Sequence, residues 1–162
     1  MVLSVSQRFE VAKPHKGVMG RIAVHLHGAP KDKAMKRLIE MYAERLLGRG
    51  VRHECHPSKR SGADYVDRLI GLSGQLVLLD EGGIHEGSVA FSKRIEGWQL
   101  ASDTVHLAIG PAEGWPDDPR LKGAIRLSLS NMTYPHELAA VMLMEQLYRA
   151  SEIHRGTGYH KA

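Results

Sequence analysis

Three short polar turns, each following an apolar run, contain the residue types best suited to hold a small polar ligand. The first spans Asp80 to Gly83, the second Gly110 to Gly114 and the third Ser128 to His136. Their glycines let the backbone turn sharply and approach a ligand closely. With apolar side chains such as Leu79 and Met132, such a pocket suits a nucleoside-bearing cofactor. Each turn taken alone is also what an ordinary loop looks like.

Ten histidines raise the question of a metal site. His25 and His27 lie on one face of a predicted strand, and His53, Cys55 and His56 lie on a second strand, so a mixed site is geometrically conceivable. The chain has no CxxC and no HExxH motif. We therefore predict no metal site and interpret these residues as a histidine-rich edge of a sheet.

Five short runs of branched and apolar residues are the predicted strands that would position the turns: RIAVHLHG, VRHECHP, QLVLLD, TVHLAIG and AIRLSLS. Helical patterns fill the gaps, with Ser88 as a plausible N-cap and a last helix from about Pro135 to Ile153. This alternation predicts an α/β fold: a mostly parallel five- to six-stranded sheet with helices on both faces. The turns would then meet at the carboxyl edge of the sheet, where ligands bind in such folds.

The composition is that of an ordinary globular protein, with 162 residues of which 43% are hydrophobic and 25% charged. Cys55 is the single cysteine, so a reducing, cytoplasmic setting fits best. The apolar runs fall far short of the roughly 20 residues of a spanning helix, which predicts no membrane segment. Residues 1–19 are predicted to be a poorly ordered N-terminal extension without a secretory signal, and residues 20–162 one domain.

Positive charge is concentrated in the first third of the chain. The net charge is +3 over residues 1–30, +5 over residues 31–60 and −4 over the remainder. This end would attract a polyanion such as RNA. The segment KDKAMKRLIEMYAERLLGR also has the pattern of an amphipathic helix whose charges simply face solvent. From the sequence pattern alone, both interpretations stay open.

Four segments, in this order and spacing, resemble a known family: LVLLDEGG, HLAIGPAEGW, LSLSNMTYPHELAAVMLMEQLYRA and the terminal GYHKA. The most specific parts are S-x-M-T-x-P-H, EQLYRA and the closing Tyr-His-basic pattern. The family is that of the bacterial large-subunit rRNA pseudouridine N3-methyltransferases, a branch of the SPOUT superfamily. The resemblance covers about residues 20–162 and implies an α/β-knot fold, with a C-terminal trefoil knot that breaks the usual rule against knots. It also implies a homodimer.

The resemblance further implies a cofactor, a substrate and a set of binding residues. The cofactor would be S-adenosylmethionine, and its methyl group would go to N3 of a pseudouridine in 23S rRNA within the assembled ribosome. The residues implied to hold the cofactor are Leu79, Gly110, Leu129, Ser130, Asn131, Met132, Thr133 and Tyr134. The polar turn before the last helix would thus be the knot loop that wraps the cofactor.

The closing residues Tyr159, His160 and Lys161 match the family's ending and are the implied catalytic segment. The imide proton of pseudouridine N3 must leave before the nitrogen attacks a sulfonium methyl, and the imidazole of His160 is a side chain that could accept it near neutral pH. Lys161 could bind a phosphate or stabilise charge on the base, and Tyr159 could stack on it. Arg149 is a candidate RNA or dimer contact, although an i,i+4 pair with Glu145 is the simpler interpretation.

Two departures from the family pattern bear on activity. Pro111 replaces a glycine and removes a backbone donor beside the cofactor. Gly156, Thr157 and Gly158 replace an Asn-His-Pro run, which predicts a more flexible tail whose docking costs more entropy. A methyltransferase is therefore the first hypothesis. A non-catalytic knotted RNA-binding or ribosome-assembly protein is the second, and a doubly wound domain for another nucleotide is the third.

Overall fold

The computed structural model describes residues 21–161, in which strands alternate with helices. The elements are β1 (Ile22–His27), α1 (Lys33–Arg45), β2 (Val51–His56), α2 (Gly62–Ile70), β3 (Gln75–His85), α3 (Ser88–Leu100), β4 (Val105–Ala108), a short 3₁₀ helix (Pro119–Leu121), β5 (Ile125–Ser128) and α4 (His136–Arg155). The five predicted strands are all present. The predicted N-terminal extension lies outside the described residues.

The strands form one sheet in the order β2-β1-β4-β3-β5, and every neighbouring pair is parallel. This confirms the α/β fold with a parallel sheet, at five strands. Since all the strands run the same way, the segments that follow β3, β4 and β5 emerge at one edge. The trefoil knot stays a prediction of the family resemblance.

The two faces of the sheet are covered by different helices. On the apolar face, strand residues such as Val24 and Leu107 pack against Ile39 of α1, Ile95 of α3 and Leu143 of α4. On the other face, called here the α2 face, the buried cluster consists of Tyr65, Val66, Leu69, Leu78, Ala108 and Leu121. Helices on both faces are thus confirmed. Each fully buried large aliphatic side chain contributes about 1.5–3 kcal/mol to this packing.

The prediction of a free turn from Asp80 to Gly83 is wrong, because β3 continues through it to His85. The pairing of β3 with β5 shifts register between Leu79 and Ile84, so the glycines form an irregularity inside the strand. A Cβ on Gly83 would lie 2.6 Å from backbone atoms of Arg126. The glycine therefore permits close approach of β5.

The helix after β3 begins differently from the prediction. Its N-cap is Gly87, without a side-chain cap, and the Ser88 hydroxyl instead donates to Gln146 Oε1 of α4 at 2.7 Å. The predicted last helix is confirmed to within two residues at its end, where Gly156 adopts a left-handed conformation with φ of 70°. Within residues 21–161, no helix has both the length and the apolar character required to cross a membrane.

Candidate functional site

A cleft of about 730 Å³ opens where the middle of β3 meets the segments that follow β4 and β5. Seven of the eight residues implied to hold a cofactor line it: Leu79, Gly110, Leu129, Ser130, Met132, Thr133 and Tyr134. Asn131, the eighth, is exposed in the same turn but is not part of the lining. The fold therefore brings together residues that are up to 55 positions apart in the sequence.

One wall of the cleft is the turn between β5 and α4, which is shaped by its own hydroxyl groups. The Ser128 hydroxyl donates to the Ser130 carbonyl at 2.8 Å, and the Ser130 hydroxyl accepts from the Met132 amide at 3.1 Å. The Thr133 hydroxyl donates to Glu81 of β3 at 2.7 Å and ties the turn to the sheet. Met132 keeps 70% of its side chain exposed, so its thioether is free to contact a ligand.

The opposite wall is organised by Trp115, which the sequence reasoning missed. Its indole N–H donates to the Leu79 carbonyl at 2.8 Å, and its ring stacks on Tyr65 at 5.9 Å between centroids. A Cβ on Gly110 would lie 3.1 Å from the indole nitrogen, so a glycine there allows the ring to sit in place. The sequence signal for this wall is an aromatic residue directly after Gly114, at the end of the second polar turn.

Tyr65 supports this wall from beneath. It is 1% exposed, and its hydroxyl donates to the Ile109 carbonyl at 2.8 Å. Burial raises the pKa of Tyr65 well above its ordinary value, so the phenol stays protonated and remains a donor. Tyr65 thus ties α2 to the end of β4, beside the loop that carries Trp115.

Pro111 is buried in the cleft lining. Its carbonyl accepts from the Gly114 amide at 2.8 Å, which closes a tight turn in which Gly114 has φ of 87°. The turn therefore keeps a regular hydrogen-bonded shape, and the departure from the family pattern removes one backbone N–H from the wall.

The cleft carries negative charge. Asp80, Glu81 and Glu113 line it, and among residues 21–161 no lysine or arginine does. Asp80 is paired with Arg126, which lies outside the lining, while Glu81 holds Thr133. Carboxylates around a pocket favour a ligand with positive charge.

The C-terminal tail lies against α4. The Tyr159 hydroxyl donates to Glu145 Oε1 at 3.1 Å, and its ring meets Tyr148 edge-on at 4.8 Å between centroids. Burial and this hydrogen bond raise the pKa of Tyr159. The tail, for which Gly156 and Gly158 predict flexibility, makes defined side-chain contacts with α4.

Arg149 links the tail to the helix. It pairs with Glu145 at 2.6 Å, which confirms the simple i,i+4 interpretation, and its guanidinium lies 5.0 Å from the centre of the Tyr159 ring. Arg149 Nη1 is 3.2 Å from His160 Nδ1. A guanidinium can only donate, so Nδ1 accepts and a neutral His160 carries its proton on Nε2. Lys161 is exposed.

The predicted catalytic residues and the cleft do not meet within one chain. The tail reaches back along α4 to Glu145, six residues beyond Ala139 of the cleft lining, which is about 9 Å at the rise of an α-helix. None of Tyr159, His160 and Lys161 belongs to the lining. Arg149, four residues further along α4 than Glu145, lies with the tail.

Fold and cleft together define a class: a small parallel α/β protein with a ligand pocket at the carboxyl edge of its sheet. A family described as "Predicted SPOUT methyltransferase" matches residues 20–160. The chain belongs to this family, the SPOUT methyltransferases.

Curated relatives agree with the family. The chain is similar to Ribosomal RNA large subunit methyltransferase H of Synechococcus sp. (strain RCC307), with 38% identity over 88% of this chain and 95% of the relative. The protein of the same name from Synechococcus sp. (strain CC9902) is 37% identical over 76% and 85%. That from Verminephrobacter eiseniae is 43% identical over 59% of this chain, which spans 62% of that relative.

Proposed function

We propose that this protein transfers a methyl group from S-adenosylmethionine to N3 of a pseudouridine in 23S rRNA, on the assembled ribosome in the cytoplasm. The observation that carries the proposal is the cleft, because it gathers seven of the eight residues that the family likeness assigns to the cofactor. The relatives named as large-subunit rRNA methyltransferases support the substrate class.

The cleft fits S-adenosylmethionine in size, shape and charge. Its volume of about 730 Å³ lies within the usual range for ligands of this size. The turn from Leu129 to Tyr134 offers backbone groups and the Met132 side chain, while Gly110 leaves room at the opposite wall. Asp80, Glu81 and Glu113 would favour the positive sulfonium. When bound, the cofactor supplies an electrophilic methyl group.

A basic surface beside the cleft supports an RNA substrate. Lys31, Lys33, Lys36 and Arg37 are all exposed around the start of α1. The Lys31 amide donates to the side chain of Glu137, the residue after cleft residue His136, so this surface begins at the rim of the cleft. The segment is an amphipathic helix, as its pattern indicated, and its charged side would also meet phosphates.

The remoteness of the tail supports a homodimer. A second, apolar groove of about 390 Å³ lies between α1, α3 and α4, lined among others by Leu38, Tyr42, Ile84 and Met142. Leu38 is 37% and Ile84 47% exposed, so the groove offers apolar surface that a second copy could cover. We assign a second copy of the chain to this groove. Its tail would complete the cleft that a single chain leaves open.

In the dimer, His160 of one chain would meet the uracil ring held at the partner's cleft. Accepting the N3 proton requires a free lone pair, and the lone pair on Nδ1 is bonded to Arg149. His160 therefore acts as a base only after Arg149 releases it. Lys161 and Arg149 would then both be available for RNA phosphates or for charge developing on the base. Tyr159 would position the tail and stack on a base.

The test is single-turnover methyl transfer to ribosomes purified from a strain that lacks the endogenous enzyme, together with calorimetry of S-adenosylmethionine binding. We expect stoichiometric binding and one methyl group per ribosome, at a pseudouridine. Binding of the cofactor and ribosomes without transfer would support the non-catalytic RNA-binding alternative. No binding of the cofactor would indicate a pocket for another nucleotide.

A further inference from the structure

Three buried histidines form a row on the α2 face, away from the methyltransferase cleft. His25 of β1 stands between His56 of β2 and His106 of β4, and the three are 0%, 3% and 4% exposed. His25 Nδ1 lies 2.8 Å from His56 Nε2, and His25 Nε2 lies 2.8 Å from His106 Nδ1. Side chains alternate between the two faces of a strand, so His53 and Cys55 lie on the apolar face. The set of possible metal ligands suggested by the sequence is therefore replaced by this row of three histidines.

The hydrogen bonds fix where the ring protons lie. His106 Nε2 is 2.8 Å from the Ser73 carbonyl, which can only accept, so this nitrogen carries the proton. His106 Nδ1 must then accept from His25 Nε2, which leaves the lone pair of His25 on Nδ1. This lone pair accepts from His56 Nε2–H at 2.8 Å, and metal binding therefore requires His56 to carry its proton on Nδ1 instead, so that both lone pairs face the ion. His56 Nδ1 is buried and has no hydrogen-bond partner among residues 21–161.

A carboxylate completes the group. Glu54 pairs in register with His25 on the neighbouring strand, and its Oε2 lies 3.9 Å from His25 Nδ1. One ligand atom from each of His25, Glu54 and His56 lies within 4.8 Å of the other two. Glu54 is 34% exposed and is accompanied by Arg52 at 3.7 Å, so the group is closed on the sheet side and open to solvent at the edge.

We propose that His25, Glu54 and His56 form a binding site for a divalent transition-metal ion, with Zn²⁺ as the best match. Two imidazoles and one carboxylate are a set that Zn²⁺ accepts, with the fourth position left for water at the open edge. The His106 and Ser73 bonds behind His25 are the kind of outer support that fixes a ligand's tautomer and orientation. The ion would join β1 to edge strand β2.

The packing of the rings favours the same assignment. His25 and His56 are buried, and His25 is hydrogen-bonded ring to ring with both His56 and His106, which holds the imidazoles in place beside Glu54. The nearby Arg52 is the group with which the ion would compete for Glu54. The site does not depend on the proposed methyltransferase function, because it uses other residues on another part of the sheet.

The experiment uses the full-length chain without an affinity tag, stripped with EDTA and titrated with Zn²⁺ by calorimetry. We expect one ion per chain with Kd below about 1 μM. Glu54→Gln keeps the side-chain shape and is expected to weaken binding at least about tenfold. His85→Asn, which removes an exposed histidine at the end of β3, is the matched control and should bind as the parent does. Absence of stoichiometric binding, or equal binding by Glu54→Gln, would overturn the proposal.

X-ray absorption of the zinc-loaded parent protein gives a second readout that needs no variant. We expect two imidazole nitrogens and oxygen ligands, without sulfur. A thiolate ligand would place the ion at Cys55 on the apolar face and overturn the assignment. Circular dichroism of Glu54→Gln checks that weaker binding does not come from unfolding.

Discussion

The cleft and the C-terminal tail are built in different ways. The residues implied to hold the cofactor gather in the cleft of one chain, whose walls are held by hydrogen bonds from Ser128 to Ser130, from Thr133 to Glu81 and from Trp115 to Leu79. The tail carries the implied catalytic residues, yet Tyr159 anchors it on Glu145, about 9 Å along α4 from Ala139 of the cleft lining. Under the proposed function, one chain would supply the cofactor cleft, whereas methyl transfer would need a second chain to bring the tail to it.

The largest effect expected is from His160→Ala. Loss of a general base should reduce the single-turnover rate of rRNA methylation by about 10²–10⁴-fold. Calorimetric affinity for S-adenosylmethionine should stay unchanged, because His160 is not part of the cleft lining. His85→Asn serves as the control and should keep the parent's rate. If His160→Ala methylates rRNA fully, His160 is not the general base, and the tail has only a structural role.

Mixing two inactive variants tests whether the cleft and tail come from different chains. Gly110→Val should block the cleft, because a Cβ there already lies 3.1 Å from the Trp115 indole, and His160→Ala disables the tail. After random reassociation, heterodimers have one intact composite site, so about a quarter of the parent's activity should return. The measurement is methyl transfer before and after mixing. No recovery would indicate that each chain uses its own tail.

Trp115→Phe tests how much cofactor binding depends on the indole hydrogen bond in the wall of the cleft. The ring can still stack on Tyr65, but the hydrogen bond to the Leu79 carbonyl is lost. We expect cofactor binding to weaken by about 0.5–1.5 kcal/mol. Trp98→Phe, on α3, is the matched control and should leave the cofactor affinity unchanged. If the two variants bind the cofactor with equal affinity, the hydrogen bond from the indole to the Leu79 carbonyl does not contribute to cofactor binding.

A further effect, on stability and not on activity, concerns the base of the tail, where Glu152 accepts from Thr157 and from Arg49 at 2.7 Å. These bonds lower the pKa of Glu152 from 4.5 to about 2. The native state therefore gains stability from ionised Glu152 above pH 4.5, and loses it as the pH falls toward 2.

Glu152→Gln should cost about 1.5–3 kcal/mol at pH 7 and much less near pH 2. Urea unfolding across this pH range measures the difference, with exposed Glu113→Gln as the control. A pH-independent difference between parent and Glu152→Gln would show that the carboxylate charge is not what holds the tail.

The turn before α4, which forms one wall of the cleft, could be predicted because its residues are close in sequence. Six of the eight implied cofactor residues are consecutive, from Leu129 to Tyr134, and a turn between a strand and a helix is a local feature. Trp115 and Tyr65 were missed because their roles depend on stacking between a loop and α2. Likewise, His106 joined no predicted cluster, since only the order of strands places β4 beside β1.

The sequence pattern determined the α/β class, the five strands, the last helix and two of the turns around the cleft, because apolar periodicity and turn chemistry act over a few neighbouring residues, whereas the individual cofactor residues were implied by the family resemblance. The tertiary structure decided three further features: the continuation of β3 beside β5, the row of His25, His56 and His106, and the anchoring of the tail on α4. Each of these depends on which distant segments become neighbours, and side-chain contacts between them exist only once the sheet order and helix packing are set.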